Sequence, residues 1–92
     1  MPEISRFFGI VICMYHDEHG LAHFHAIYGE YEASIEVVSE RVHGHLPRRV
    51  LGLTLEWARL HRSDLIENWR RARDGDDLVR IAPLEWRACI TA

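Results

Sequence analysis

Two short alternating segments around a Gly-Glu pair constrain the fold of this chain more than any other feature. Residues 23–28 (HFHAIY) and 31–37 (YEASIEV) each alternate apolar and polar side chains, as a strand with one buried face does. Gly29 and Glu30 separate them, and a two-residue loop with glycine first favours a type II′ turn. The sequence therefore predicts an antiparallel β-hairpin whose turn fixes the register.

That register assigns every side chain of the hairpin to one of two faces. Counting outward from the turn predicts six cross-strand pairs: Tyr28 with Tyr31, Ile27 with Glu32, Ala26 with Ala33, His25 with Ser34, Phe24 with Ile35 and His23 with Glu36. The predicted core face carries Phe24, Ala26, Tyr28, Tyr31, Ala33 and Ile35. The predicted polar face carries His23, His25, Glu32, Ser34 and Glu36, together with Ile27.

Other strands are predicted from apolar runs and turn residues. Residues 7–15 (FFGIVICMY) are apolar on both faces, which is typical of a central strand covered on both sides. A short edge strand is predicted around residues 41–45. Residues 78–82, which precede Pro83, predict a final short strand.

Two helices are predicted in the second half of the chain. Pro47 suits a first helical turn, and a wide apolar stripe predicts a helix over residues 48–62. A second helix is predicted over residues 64–73, with Ser63 as its cap and Gly75 at its end. The order β-β-β-(β)-α-α-β predicts one α+β domain over residues 1–92. It would have a small antiparallel or mixed sheet and two helices packed on one sheet face.

Composition limits the class of protein. The 92 residues are 48% hydrophobic and 27% charged, which favours one globular domain over a disordered chain. The net charge of −3 does not by itself indicate a nucleic-acid-binding domain, and all eleven cationic side chains are arginine. Cys13 and Cys89 form no metal-binding or redox pair. Without a signal-like or membrane-spanning run, we expect a cytoplasmic protein with reduced cysteines and no membrane partner.

Histidines are concentrated in residues 16–26 (HDEHGLAHFHA), which hold four of the seven. The predicted register puts His23 and His25 together on the polar face, with Glu36 across from His23. A carboxylate beside an imidazole orients the ring and raises its basicity. His19 lies in the adjoining loop and could join the pair as a third group, whereas His16 is expected to be solvated.

Three interpretations of these histidines stay open on spacing alone. His19, His23 and His25 could bind zinc through three nitrogens and leave a fourth position open. Without a cofactor, His23 and His25 could act as acid and base in phosphoryl transfer, with Glu36 orienting a ring and His19 assisting. The simplest interpretation is a solvated sheet face or a patch that binds a protein partner.

The order of several short segments resembles a family of small bacterial proteins known as domain of unknown function 4160. The segments are ISRFFGIVICMY, HFHA with a histidine four positions before it, YGEYEA, LEWARLHRSDLIENWRRA and RIAPLE, which together cover about residues 2–85. The family's usual loop, H-x-P-P-H-F-H-A, maps onto His19 and onto residues 23–26. Leu21 and Ala22 stand where the family has two prolines, so we expect a less rigid loop.

The resemblance implies a component of a toxin–antitoxin-like two-gene module. The first hypothesis is an RNA-directed toxin, which would be a metal-independent ribonuclease with His23 and His25 as its acid–base pair. Its partners would be RNA and a cognate small protein encoded next door. Such chemistry also needs a cation, and the candidates are Arg6, Arg48 and Arg49. The alternative is a non-catalytic partner-binding module, an antitoxin or an adaptor; a histidine metal-binding protein ranks third. An edge strand within residues 38–45 would let a partner or a second copy of the chain pair there, as in a homodimer.

Overall fold

The computed structural model describes residues 2–16 and 20–85. In these ranges the chain forms β1 (Glu3–Phe7), β2 (Ile10–Cys13), β3 (His23–Tyr28), β4 (Tyr31–Glu36), β5 (Val42–His45), α1 (Arg48–Leu60) and α2 (Arg62–Asp74). The strands form one antiparallel sheet in the order β1-β2-β3-β4-β5. The predicted α+β class, a small sheet followed by two helices, is confirmed, and β5 confirms the short edge strand.

The β3–β4 hairpin has the predicted register in all six cross-strand pairs, from Tyr28 with Tyr31 to His23 with Glu36. Gly29 has a φ of 59°, whereas Glu30 does not adopt a positive φ. A positive φ at the first turn residue alone is the pattern of a type II′ turn, which demands glycine there. The turn residues therefore account for the register.

The core lies between the helices and one face of the sheet. Trp57 of α1 is fully buried, and its ring centroid lies 5.4 Å from that of Phe7 and 5.7 Å from that of Phe24. Leu65 and Trp69 of α2 belong to the same buried cluster. Burying an aromatic ring of this kind stabilises a fold by roughly 2–3 kcal/mol, so Trp57 anchors α1 to the sheet.

The prediction of one strand over residues 7–15 is wrong, because the chain reverses at Phe8 and Gly9. Both residues have positive φ, 49° and 79°, and this pair of values makes a tight hairpin turn between β1 and β2. Phenylalanine is a poor residue for that conformation, so position 8 carries no ordinary sign of a turn. The run joins the end of β1, an apolar turn and the buried strand β2, and for that reason it resembles one long apolar strand.

The prediction of a final strand over residues 78–82 is also wrong. Asn68 of α2 donates through Nδ2 to the Val79 carbonyl oxygen (2.7 Å) and accepts from the Val79 amide (2.9 Å). The Trp57 indole N–H donates to the Ala82 carbonyl oxygen at 2.9 Å. Side chains from the helices thus occupy backbone groups that a strand would use for pairing. The segment still touches the sheet edge, because the Ile81 amide donates to the Ile4 carbonyl oxygen of β1.

The helices differ from prediction mainly where they meet. The first helix ends at Leu60 and the second already begins at Arg62, so Ser63 lies inside α2 and is not its cap. The Leu65 amide donates to the His61 carbonyl oxygen, which starts α2 two residues earlier than the predicted cap would. Gly75 ends α2 in the left-handed conformation, as predicted. Neither helix in the described ranges is long and apolar enough to cross a membrane.

Glu40 ties the β4–β5 turn to both helices. Its carboxylate accepts two hydrogen bonds from Arg59 of α1, at 2.9 and 2.8 Å, and one from Arg62 of α2 at 3.1 Å. The hydrogen bonds from Arg59 hold the pKa of Glu40 below its usual range. Because β5 follows this turn directly, the contact helps to fix β5 beside β4.

Gly44 lets β5 approach β4 more closely than any other residue could. Its φ is 113°, and a Cβ atom there would lie 2.6 Å from the Glu32 carbonyl oxygen and 2.9 Å from the Ala33 Cα. Both obstacles are backbone atoms, which cannot rotate away. The pairing of β5, and with it the position of His43 and His45, therefore requires glycine at position 44.

We predict that Gly44→Ala lowers the free energy of unfolding by about 2 kcal/mol or more. For a domain of this size, that loss corresponds to a fall in Tm of roughly 10 °C. Gly52→Ala is the matched control, because Gly52 lies in α1 with nothing within 4 Å of its Cβ position. This control should be neutral or stabilising. Equal Tm values for the two variants would contradict the close-approach account.

Candidate functional site

The sheet face opposite the core face carries the polar side chains of β3, β4 and β5. The β3–β4 and β4–β5 registers place His25, Ser34 and His43 in one row across three strands. Neighbouring rows bring His23 beside Glu36 and Glu32 beside His45. Four histidines on two strands thus flank the polar residues of β4.

A cleft of about 350 Å³ lies on this polar face. It is lined by Leu21, His23, Ser34, Glu36 and His43. His23 and His43 lie on opposite sides of β4, two strand spacings apart across the sheet and two residues apart along it, so their Cα atoms are roughly 12 Å apart. The cleft therefore offers two imidazoles and one carboxylate to a small polar group.

Two hydrogen bonds hold the side chain of Glu36 in the cleft. Its Oε1 accepts a hydrogen bond from the Ser39 hydroxyl at 2.6 Å, and its Oε2 accepts one from His43 Nε2 at 3.0 Å. These two hydrogen bonds hold the pKa of Glu36 below its usual range, and the one from Ser39 has the larger effect. Glu36 thus stays a carboxylate that orients His43.

Hydrogen bonding also fixes the proton positions on the two imidazoles of the cleft. His23 Nδ1 lies 2.8 Å from the Leu21 carbonyl oxygen, and a carbonyl can only accept, so Nδ1 carries a proton. His43 Nε2 must likewise donate to the Glu36 carboxylate. The other ring nitrogens of the two imidazoles are His23 Nε2 and His43 Nδ1.

His23 and His25 lie where the hairpin register predicts, side by side at the start of β3. Their ring centroids are 5.4 Å apart, and the His23 ring also packs against Trp69 of α2 at 4.9 Å. The His25 side chain is only 17% exposed, with its Nδ1 3.6 Å from Glu32 Oε2 and its ring 4.7 Å from Tyr15. Glu36 is opposite His23 as predicted, although the hydrogen bonds described for its carboxylate come from Ser39 and His43.

The predicted zinc ligands are only partly within the described ranges. His19 lies outside them, so the set His19, His23 and His25, and the accessory role of His19, stay predictions. Over residues 2–16 and 20–85, no group of three or more His, Cys, Asp or Glu side chains is arranged to hold a metal ion. His16 is exposed, as predicted, with its Nε2 3.3 Å from the Asp76 carbonyl oxygen.

Arg41 is the cation that the β4–β5 turn brings beside the cleft. It contributes electrostatically to the low pKa of Glu36, and its carbonyl oxygen accepts a hydrogen bond from the Glu36 amide. The arginines that were candidates by sequence lie elsewhere. Arg6 pairs with Glu3 on β1, and Arg48 and Arg49 begin α1.

Cys13 is near the histidines in the sheet but is not a candidate nucleophile. It pairs with His25 across β2 and β3, and its side chain is fully buried. Burial raises the pKa of the Cys13 thiol, which keeps it protonated at neutral pH.

His43 is a cleft residue that the sequence alone did not single out. The segment V-H-G-H repeats the H-x-H spacing of β3, and that spacing places both histidines of β5 on one face. Choosing the face required the β4–β5 register, in which His43 pairs with Ser34. The repeated H-x-H was therefore the available signal that could have identified β5 as part of the site.

A second cavity, of about 300 Å³, lies between α2 and the segment that follows it. Its lining includes Asp64, Glu67 and Arg71. Glu67 forms ion pairs with Arg70 and Arg71, so much of the charge of this wall is already neutralised. The cleft on the polar face is the stronger candidate, because it alone of these two cavities brings together two histidines.

Comparison with known families gives one result. The model of a family described as Domain of unknown function (DUF4160) matches residues 9–70. The match covers more than half of the 92 residues and is narrower than the resemblance over residues 2–85. It contains every residue that lines the cleft. No curated protein and no solved structure matches the chain.

We predict that Ser39→Ala raises the pKa of Glu36, because the Ser39 hydroxyl is the main cause of its low value. A side-chain carboxyl NMR titration measures this shift directly. The low pKa of Glu36 stabilises the fold above the unfolded-state value, and this stability is lost as pH falls through the folded-state value. The variant should therefore gain less stability from this carboxylate, and the loss of that stability on acidification should be complete at a higher pH than in the parent.

Ser63→Ala is the control for this titration, because Ser63 is an exposed residue of α2. It should leave the Glu36 titration where it is in the parent. Identical titrations of Glu36 in all three proteins would show that Ser39 does not stabilise the carboxylate.

Proposed function

The chain belongs to the family described as domain of unknown function DUF4160, and from that premise we propose that its histidine cleft cleaves RNA. In this proposal the protein is the toxin of a bacterial two-gene, toxin–antitoxin-type module, and it acts in the cytoplasm. The observation that carries the proposal is that His23 and His43 line the same cleft, and that the Glu36 carboxylate accepts a hydrogen bond from His43. Metal-independent RNA cleavage needs such a pair, one group as base and the other as acid.

The proposed reaction is transfer of the phosphoryl group to the neighbouring 2′-hydroxyl. His43 Nδ1 takes the proton of the 2′-hydroxyl, and the Glu36 carboxylate stabilises the imidazolium that forms. The O2′–phosphorus bond forms while the phosphorus–O5′ bond breaks, and protonated His23 gives its Nε2 proton to O5′. The products are a 2′,3′-cyclic phosphate and a 5′-hydroxyl, so His43 has gained one proton and His23 has given one up.

Two further residues support the reaction in this proposal. Arg41, beside Glu36, stabilises the negative charge that develops on the phosphoryl oxygens. His25, the other member of the predicted acid–base pair, holds the His23 ring in place from 5.4 Å. His25 is therefore a positioning residue, and His23 and His43 are the catalytic residues.

We predict that the purified protein cleaves single-stranded RNA in the presence of EDTA and leaves 2′,3′-cyclic phosphate ends. His23→Ala and His43→Ala should each lower the cleavage rate about 100-fold or more, which is the usual contribution of one general acid or base. His16→Asn is the matched control, because His16 is an exposed histidine outside the cleft lining. Its rate should equal that of the parent.

Cleavage that persists in both alanine variants would contradict the proposal, as would cleavage that EDTA abolishes. The second outcome, with about one equivalent of zinc in untagged protein, would favour the metal-binding hypothesis. In cells, inducing the gene alone should arrest growth, and the double variant His23→Ala with His25→Ala should relieve the arrest. Unchanged arrest in that double variant would separate the toxicity from the histidines.

One observation favours the second hypothesis, a non-catalytic module that binds a protein partner. β5 is one of the two outer strands of the sheet, and three of its four residues are exposed. An outer strand of this kind is able to pair with a strand of the cognate protein encoded next door, or with a second copy of the chain. Co-purification of that protein, together with no cleavage of RNA by the free chain, would support this function over the first.

A further inference from the structure

Three connections meet at one end of the sheet and expose three aromatic rings there. In the antiparallel order, the β1–β2 turn, the β3–β4 turn and the link from β5 to α1 all lie at the same end. Phe8 is 47% exposed, Tyr28 36% and Tyr31 37%. Together with Arg48 and Arg49, these residues form a surface that we call the aromatic end.

The rings of the aromatic end form a row across several strands. Tyr28 lies over the β1–β2 turn, with its Cε1 3.4 Å from the Cβ position of Gly9, next to Phe8. Tyr31 is paired with Tyr28 across the hairpin, and its ring centroid lies 5.6 Å from that of His45 on β5. Exposed rings on neighbouring strands are the arrangement on which successive unpaired bases stack in single-strand-binding sheets.

Phenylalanine at position 8 does not stabilise the turn in which it lies. A φ of 49° is unfavourable for phenylalanine, and the first position of such a turn prefers asparagine. Its ring makes an edge contact with Phe7 and otherwise remains about half exposed. A binding surface gives this exposed ring a role that the requirements of folding do not.

Positive charge accompanies the aromatic row. Arg48 and Arg49 are exposed in the first turn of α1, which has no acidic residue and no side-chain cap. Cations are disfavoured at a helix N-terminus, and neither arginine forms an ion pair within the described ranges, in contrast to Arg59 and Arg62. Arg48 is three residues after His45, so its Cα lies within about 11 Å of that of His45.

We propose that the aromatic end binds single-stranded RNA, with bases stacked on Phe8, Tyr28 and Tyr31 and with backbone phosphates held by Arg48 and Arg49. This inference rests on the proposed function, because it describes how the same substrate is held outside the cleft. Single-stranded RNA presents both negatively charged phosphates and flat bases. The unneutralised arginines fit the phosphates, and the exposed rings fit the bases. Net charge hides this feature, because six other arginines of the described ranges form ion pairs with acids: Arg6, Arg59, Arg62, Arg70, Arg71 and Arg80.

The test is fluorescence anisotropy with a labelled, eight-nucleotide 2′-O-methyl oligouridine. This probe cannot be cleaved, because its 2′ oxygen carries no proton. The double variant Tyr28→Leu with Tyr31→Leu should weaken binding at least 10-fold, because leucine offers no ring on which a base can stack. Arg48→Gln with Arg49→Gln should weaken binding and reduce the slope of log K against log salt by about 1.4, or 0.7 for each phosphate that is no longer neutralised.

A third variant keeps the test meaningful if the tyrosine variant does not fold. Phe8→Asn replaces the exposed ring by the residue that the turn prefers, so it should fold with a cooperative thermal transition and bind the probe more weakly. Leu60→Ala and Arg73→Gln are matched controls. Leu60 is an exposed apolar residue at the last position of α1, and Arg73 is an exposed arginine three residues before Asp76, whose carbonyl oxygen contacts His16 beyond the opposite end of β2. Both controls should bind like the parent.

The outcomes separate this inference from the proposed function. Probe binding that is unchanged in the folded tyrosine, phenylalanine and arginine variants overturns the inference, even if the parent protein cleaves RNA. Probe binding that depends on the aromatic end in a protein that cleaves no RNA supports the inference and contradicts the function. Equal binding of double-stranded RNA, or equal competition by polyglutamate, would also overturn it, because neither ligand offers unpaired bases.

Discussion

The register of the β3–β4 hairpin is the constraint on which the rest of this structure depends. Gly29, with its positive φ, turns the chain in two residues, and the six pairs that follow separate apolar from polar side chains. A shift of one residue would turn histidines and glutamates toward the helices and expose Phe24 and Ile35. The apolar face of the hairpin packs in the core against the helices, so the same register that builds the core also creates the polar face.

The site depends on β4 as the shared neighbour of two histidine-bearing strands. β3 brings His23 to one side of β4, β5 brings His43 to the other, and Glu36 of β4 bonds to the second of these rings. Two features hold β5 in this position, the close approach at Gly44 and the contact of Glu40 with Arg59. Gly44, Glu40 and Arg59 all lie outside the hydrophobic core, yet each helps to determine where the imidazole of His43 lies.

Sequence was sufficient where local chemistry decides structure and insufficient where distant side chains intervene. The hairpin register and the end of α2 were predictable, because glycine at a defined turn position determines each. The turn at Phe8 was not, since phenylalanine rarely adopts its φ. Residues 78–82 look like a strand by pattern, but Asn68 and Trp57 occupy their backbone groups from the helices.

Half of the candidate site could be predicted for the same reason. His23 and Glu36 belong to one hairpin, whose register follows from its turn, whereas His43 joins them only through the pairing of β5. That pairing depends on Gly44, and on Glu40 contacting helices nineteen and more residues further along the chain. Interactions so distant in sequence leave no local pattern, and the repeated H-x-H spacing of β5 was an unused signal that this strand belongs to the site.

The most direct test of the central claim, that His23 and His43 act as acid and base in one cleft, is the pH dependence of kcat/KM. With a dinucleoside monophosphate of RNA as substrate, we expect a bell-shaped profile, because one imidazole must be neutral and the other protonated. In His43→Ala the limb of the pH profile that reports deprotonation of the base should disappear, while the limb that reports the acid remains. An unchanged bell in that variant would contradict the account.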